Sequence, residues 1–195
     1  MKRRQGLVLG RAVTPLAMLA VGALVFQASH AAFSATTVNP SDSWSAGQIN
    51  LSDDDSNTAM FTVTNAKPSD TGFKCIVVSS SAAQTYTTAV KIYASSVATP
   101  TNSLDANLTL KIEEGTGGTF ANCTGFSAGA TLYNSSLSGF TSTYTNFSNG
   151  LATNFAPTGG TLQSKVYKFT WTLNSGAANS VQGGTAGCAF TWEAQ

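Results

Sequence analysis

The sequence predicts an all-β fold, a single β-sandwich or jelly roll of antiparallel strands with short helical turns. Two observations lead there. Apolar residues alternate with period two in nearly every patterned stretch, and short runs rich in Gly, Ser, Asn and Thr separate those stretches at the spacing of strand-connecting turns. Such strands must bury one face each against a second layer, which is how sandwiches and jelly rolls are built. Composition alone does not choose between the two topologies.

Residues 1–31 read as a cleaved signal peptide. Lys2, Arg3, Arg4 and Arg11 make a positive leader, and the apolar run 12–26 is short for a membrane span. Ser29-His30-Ala31 then offers small residues at the two positions a signal peptidase reads, which sets the expected cut after Ala31. No apolar pair follows Arg3-Arg4 directly, so ordinary secretion is expected rather than twin-arginine export. Membrane contact is expected only through this leader, before cleavage. No linker, charge block or internal repeat divides 32–195, which is read as one domain.

Within that domain, residues 58–65 (TAMFTVTN) are expected to form a strand with Ala59, Phe61 and Val63 on one face. Lys67-Pro-Ser-Asp70 is a turn, because proline presets φ and Ser and Asp bond locally to the backbone. Residues 72–79 complete a hairpin with 58–65. Residues 85–95 place Tyr86, Thr88, Val90 and Ile92 on one face, residues 102–107 suit a short helical turn, and 108–113 alternate again before the glycine loop 115–118. Residues 130–133 form a further strand. In 165–173, Val166, Lys168, Thr170 and Thr172 alternate with Tyr167, Phe169, Trp171 and Leu173, and 185–193 closes the sheet.

The expected mature chain keeps six lysines against nine acidic residues, a net charge of −3, and no arginine. Arginine is the preferred fork for phosphate and guanine, so nucleic-acid binding is not expected. Three cysteines remain, Cys75, Cys123 and Cys188. In an exported protein two of them pair, and spacing alone permits all three pairings. Cys188 lies in a strand pattern where a small buried thiol suffices, so the expected bond is Cys75–Cys123.

Catalytic chemistry is sparse. Ser and Cys nucleophiles normally need a histidine base, and zinc peptidase motifs need two histidines a helical turn apart. The sole histidine, His30, falls within the signal peptide. Glu113 and Glu114 are neighbours on a strand, so they face opposite ways and cannot flank one bond; an exposed strand end is their plain reading. Neither enzymatic activity, nor a cofactor, nor a zinc requirement is therefore expected. Asp53, Asp55 and Asn57 copy the first three ligands of a calcium loop. Thr58 stands where that loop needs glycine and Thr64 where it needs a bidentate glutamate, which excludes an EF-hand. A solvated turn is the default, and a looser calcium site is the weaker candidate. The sequons at Asn107, Asn122, Asn134 and Asn146 matter only in a eukaryotic secretory host.

Several segments in order resemble the TasA/camelysin family of secreted bacterial matrix proteins. They are Ala32-Phe-Ser-Ala-Thr-Thr37, Trp44-Ser-Ala-Gly-Gln-Ile-Asn-Leu51, Lys67-Pro-Ser-Asp70, Tyr167-Lys-Phe-Thr170, the turn 179–183, and Phe190-Thr-Trp-Glu-Ala-Gln195. The cysteines and the Trp-Glu-Ala ending look more like the actinobacterial branch. The resemblance implies a jelly-roll-like β-sandwich that polymerises head to tail into extracellular biofilm-matrix fibres. Each subunit would donate residues 32–38 to a groove in its neighbour, with Phe33, Ala35 and Thr37 facing inward. The partner is then a second copy of the chain, with other matrix or cell-surface proteins beyond it. Camelysin gave the family a metallo-endopeptidase label, and the histidines that label leads one to expect are missing here. Two other readings stand beside the fibre subunit. One is a monomeric secreted adhesin or carbohydrate-binding module using Trp44, Tyr133 and Tyr144; the other is an atypical metallo-endopeptidase.

Overall fold

The computed structural model describes residues 51–80, 88–158 and 160–195. The expected signal peptide 1–31, the segment 32–38 with Phe33, Ala35 and Thr37, and the residues Trp44 and Tyr86 lie outside the described residues. The described chain is mostly β. Its strands are β1 (Leu51–Asp53), β2 (Thr71–Ser80), β3 (Lys91–Ser95), β4 (Leu108–Thr116), β5 (Ser127–Ser136), β6 (Leu151–Ala152), β7 (Gln163–Leu173) and β8 (Ala189–Glu193). Two short helices, α1 (Leu104–Asn107) and α2 (Leu137–Thr143), and a 3₁₀ turn at Asn179–Val181 complete it.

All described pairings are antiparallel. One sheet runs β1-β2-β7-β4-β5 and the other β6-β3-β8. The period-two alternation sets which side chains meet. Ile76 stands opposite Tyr167, Ile112 opposite Phe169 and Leu110 opposite Trp171. Ile92 and Ala94 of β3 belong to the same buried cluster as Ile76, Leu110, Ile112, Tyr167 and Phe169, so the two sheets share one core. Phe169 meets Phe190 at 4.6 Å between ring centroids, and Tyr167 meets Trp192 at 5.7 Å, ring contacts that join the sheets. Full burial of a ring such as Phe169 contributes about 1.5–3 kcal/mol.

Several expectations are met and several are corrected. The strand at 72–79 becomes β2, 108–113 becomes β4, 130–133 becomes the longer β5, and 165–173 becomes β7 with Tyr167, Phe169 and Leu173 buried as the pattern required. The helical turn within 102–107 is α1. Residues 58–65 form no strand, so the hairpin with β2 is absent; β1 pairs with the end of β2 instead. The final strand is shorter than expected, and Cys188 lies just before it. Helix α2 was not expected, because Gly139 and four Ser/Thr residues are poor helix formers. Its formation rests on local and tertiary terms together. The Ser136 hydroxyl accepts the Gly139 N–H at 3.1 Å, and the Phe140 ring packs against Tyr133, Tyr144 and Phe190.

Two glycines are required by close approach. A Cβ on Gly72 would stand 2.7 Å from Trp171 Nε1, so glycine is what lets that indole lie across β2. A Cβ on Gly115 would strike the carbonyl of Ser127 where the β4–β5 register shifts.

Cys75 and Cys123 form the disulfide that the sequence predicted, with Cα atoms 5.4 Å apart. A second tie lies close in sequence to it. One Asp54 carboxylate oxygen accepts the N–H of Val77 and the other accepts that of Phe120, both at 2.8 Å. Asp54 thus holds the β4–β5 loop to β2 where β1 ends.

Candidate functional site

A groove of about 510 Å³ opens beside β2, β4, β7 and β8. Ile76, Leu110, Trp171, Phe190 and Trp192 supply its apolar floor from the sheets. Met60, Phe61 and Val63 form part of its wall, and Val63 is 48% exposed. A volume of this size lies within the range of ligand-binding clefts.

The wall is unusual. Residues 59–66 carry the alternation of a strand, yet none of them makes a hydrogen bond with another described residue. Two strand margins near them are also incomplete. β1 pairs only with residues 78–80 of β2, leaving 71–77 without a strand on that side, and β8 has a strand partner on one side only, among the described residues. Unpaired edge groups of this kind readily accept an added strand. Beside the same groove, the indole N–H of Trp192 is buried with no acceptor among the described residues.

Cys188 lines the groove as a free thiol, half buried rather than sealed in a strand. Burial pushes it up from 9.0 to about 11. A thiol so raised is a weak nucleophile near neutrality. At pH 8, iodoacetamide should label Cys188 about a hundredfold more slowly in the folded protein than in urea, the factor that two pKa units set. Equal rates, measured by mass spectrometry, would place the thiol in open solvent.

The calcium candidate Asp53, Asp55 and Asn57 forms a turn. Asp53 Oδ1 accepts the Asp55 N–H at 3.3 Å, and Asp55 Oδ1 accepts the Asn57 N–H at 2.6 Å. Ser56 and Asn57 take positive φ, the left-handed conformation of a tight turn. The described residues contain no cluster of three His, Cys, Asp or Glu able to hold a metal. Asp53 and Asp55 nevertheless line the rim of the groove. Burial raises Asp53 above the ordinary carboxylate value, and the neighbouring Asp55 and Asp54 raise it further, against the Asp55 N–H bond that lowers it.

Glu114 corrects another expectation. It is 3% exposed, not a solvated strand end. Its Oε2 accepts the Asn154 N–H at 2.9 Å, and Lys165 Nζ lies 3.7 Å from Oε1. Asn154 follows β6, so the carboxylate ties β4 to the smaller sheet. Tyr167 has Glu114 and Thr153 as polar neighbours, but its hydroxyl reaches hydrogen-bonding geometry with neither. Burial raises that phenol far above its ordinary value, with Glu114 adding to the effect and Thr153 opposing it. Glu113 faces the other way and meets Lys111 at 2.7 Å.

Tyr133 and Tyr144 do not form an exposed platform. Their rings stack edge to face at 5.9 Å around Phe140, and the Tyr133 hydroxyl donates to the Ser136 carbonyl. The resemblance implied an acceptor groove, but its lining was not anticipated from sequence, since it comes from stretches far apart in the chain. The one available signal was that Thr-Ala-Met-Phe-Thr-Val at 58–63 reads as a strand. The chain matches no protein-family model and no curated protein sequence.

Proposed function

We propose that this chain is a secreted structural subunit with a jelly-roll-like fold that polymerises into extracellular matrix fibres. Its residues 32–38, freed by cleavage after Ala31, enter the groove of the next copy, with Phe33, Ala35 and Thr37 turned inward. The observation that carries this reading is the groove wall at 59–66, which has strand alternation but no ladder. A segment with strand alternation and no ladder, beside an apolar groove and two incomplete margins, is what a donated segment would complete. Seven residues of strand span ~23 Å at 3.3 Å per residue, and the wall offers eight residues to run beside them.

Donation of this kind is head to tail. A segment that leaves one copy and fills the next does not close on itself, and the product is a filament. Because the packing of Tyr133 and Tyr144 removes two of the three aromatics that favoured a carbohydrate-binding module, the fibre reading stands ahead of it.

Deleting residues 32–38 tests the reading. The shortened protein is expected to keep its melting transition and to yield no fibres by electron microscopy at concentrations where the intact protein does. Fibres from the deleted form would sink the proposal, and loss of the melting transition would show that the segment belongs to its own subunit.

A further inference from the structure

We infer that the groove recognises a free N-terminus: the α-ammonium group of Ala32 docks at the rim formed by Asp53 and Asp55 while the residues after it lie along the apolar floor. The inference rests on the proposed entry of residues 32–38 into the groove and adds the chemistry that selects them. It makes cleavage the step that creates the ligand.

Charge complementarity carries the argument. The acidic side chains that line the groove are Asp53 and Asp55, both from one turn, and most of the remaining lining is apolar. Among the described residues the ion pairs are Lys111–Glu113 and Lys165–Glu114, so neither rim carboxylate has a cationic partner. Three successive aspartates repel one another, and Asp54 already spends its two oxygens on Val77 and Phe120. Asp53 and Asp55 are left facing the groove, each accepting a single N–H of their own turn.

The segment supplies what the rim lacks, at one place only. Residues 32–41 (AFSATTVNPS) contain no charged side chain, so their single positive charge is the α-amino group made by cleavage after Ala31. That group is mostly protonated at pH 7. Phe33 follows it directly, so one end of the segment presents an ammonium beside an aromatic ring. In an uncleaved chain the same position is a neutral amide, and the rim gains nothing from it.

The test uses a synthetic peptide of residues 32–40 with a C-terminal fluorophore, prepared with a free or an acetylated N-terminus. Anisotropy measures its binding to the full chain carrying Phe33→Asp, whose own segment no longer competes. In low salt the free-amine peptide is expected to bind about fivefold more tightly than the acetylated one, the scale of a partly exposed ion pair. About 0.5 M salt should erase that factor by screening. Asp53→Asn with Asp55→Asn should also erase it, leaving the acetylated peptide's affinity unchanged, since each asparagine oxygen can still accept the turn's N–H. Equal affinity of the two peptides overturns the inference and leaves the groove reading standing. A preference that survives in the double variant overturns the assignment to these aspartates. Calcium binding abolished by the double variant, with the peptides indistinguishable, gives the rim to a metal ion instead. Failure of both peptides to bind overturns the groove reading as well. Should the double variant fail to fold, the acetylation and salt comparisons on the unaltered rim decide alone.

Discussion

Breaking the Cys75–Cys123 bond, by reduction or as Cys75→Ala with Cys123→Ala, is expected to cost up to about 4 kcal/mol of stability. The bond closes a loop across 48 residues of sequence, so its loss returns considerable freedom to the unfolded chain. For a domain of this size the melting temperature should fall on the order of 10 °C. The folded side contributes too. Cys75 is fully buried on β2, and Cys123 belongs to a loop whose own bonds are few: Thr119 N–H to the Asn122 carbonyl, Thr124 N–H to Asn122 Oδ1 and Phe126 N–H to the Cys123 carbonyl. Without the bond, Asp54 at Phe120 becomes the principal polar tie of that loop to β2. Cys188 is the internal control, since Cys188→Ser leaves the bond intact and should shift the transition far less. Calorimetry with and without reductant checks this, and a transition that reduction leaves in place contradicts it.

What could be read from sequence divides along physical lines. Strands with a partner on both sides were legible, because their alternation is enforced by burial. β7 is the clearest case, lying between β2 and β4 with Tyr167, Phe169 and Leu173 buried. Residues 58–65 carry as good a pattern and form no strand, because propensity and alternation do not supply a hydrogen-bonding neighbour. Helix α2 was hidden for the opposite reason. Its residues have poor helix propensity, and the helix depends on the Ser136 cap and on the burial of Phe140, which local pattern does not reveal.

The polar residues teach the same lesson. Glu113 and Glu114 are indistinguishable as neighbours in a sequence, yet one meets Lys111 and the other is sealed between the sheets. Among the three aspartates, attention went to Asp53 and Asp55 for their calcium-loop spacing, while Asp54 makes the long-range bonds. The residues lining the groove were beyond reach because Phe61, Leu110, Trp171 and Phe190 meet only after folding.

Phe33→Asp is expected to suppress fibres while leaving the monomer's stability close to that of the unaltered protein. Phe33 is the only large apolar side chain in residues 32–37, and the proposed cleavage after Ala31 would leave it second in the chain. Burying such a ring contributes about 2–3 kcal/mol at each junction, and a filament repeats that contribution at every subunit. Aspartate removes the ring and brings a charge toward a floor of Ile76, Leu110 and Trp171, with Asp53 and Asp55 at the rim to repel it. Both effects act against insertion, so the concentration needed for fibres should rise at least about a hundredfold, which corresponds to roughly 2.7 kcal/mol. Phe33→Leu separates the two contributions, since it keeps apolar bulk and adds no charge, and it should polymerise at a concentration between those of the two others. The cysteine in the groove gives a second readout. Insertion covers Cys188, so its alkylation should slow further in fibres of the unaltered protein and stay at the monomer rate with Phe33→Asp. Unimpaired fibres from Phe33→Asp would remove residues 32–38 from the groove. A monomer that unfolds on the same substitution would assign Phe33 to the core of its own subunit.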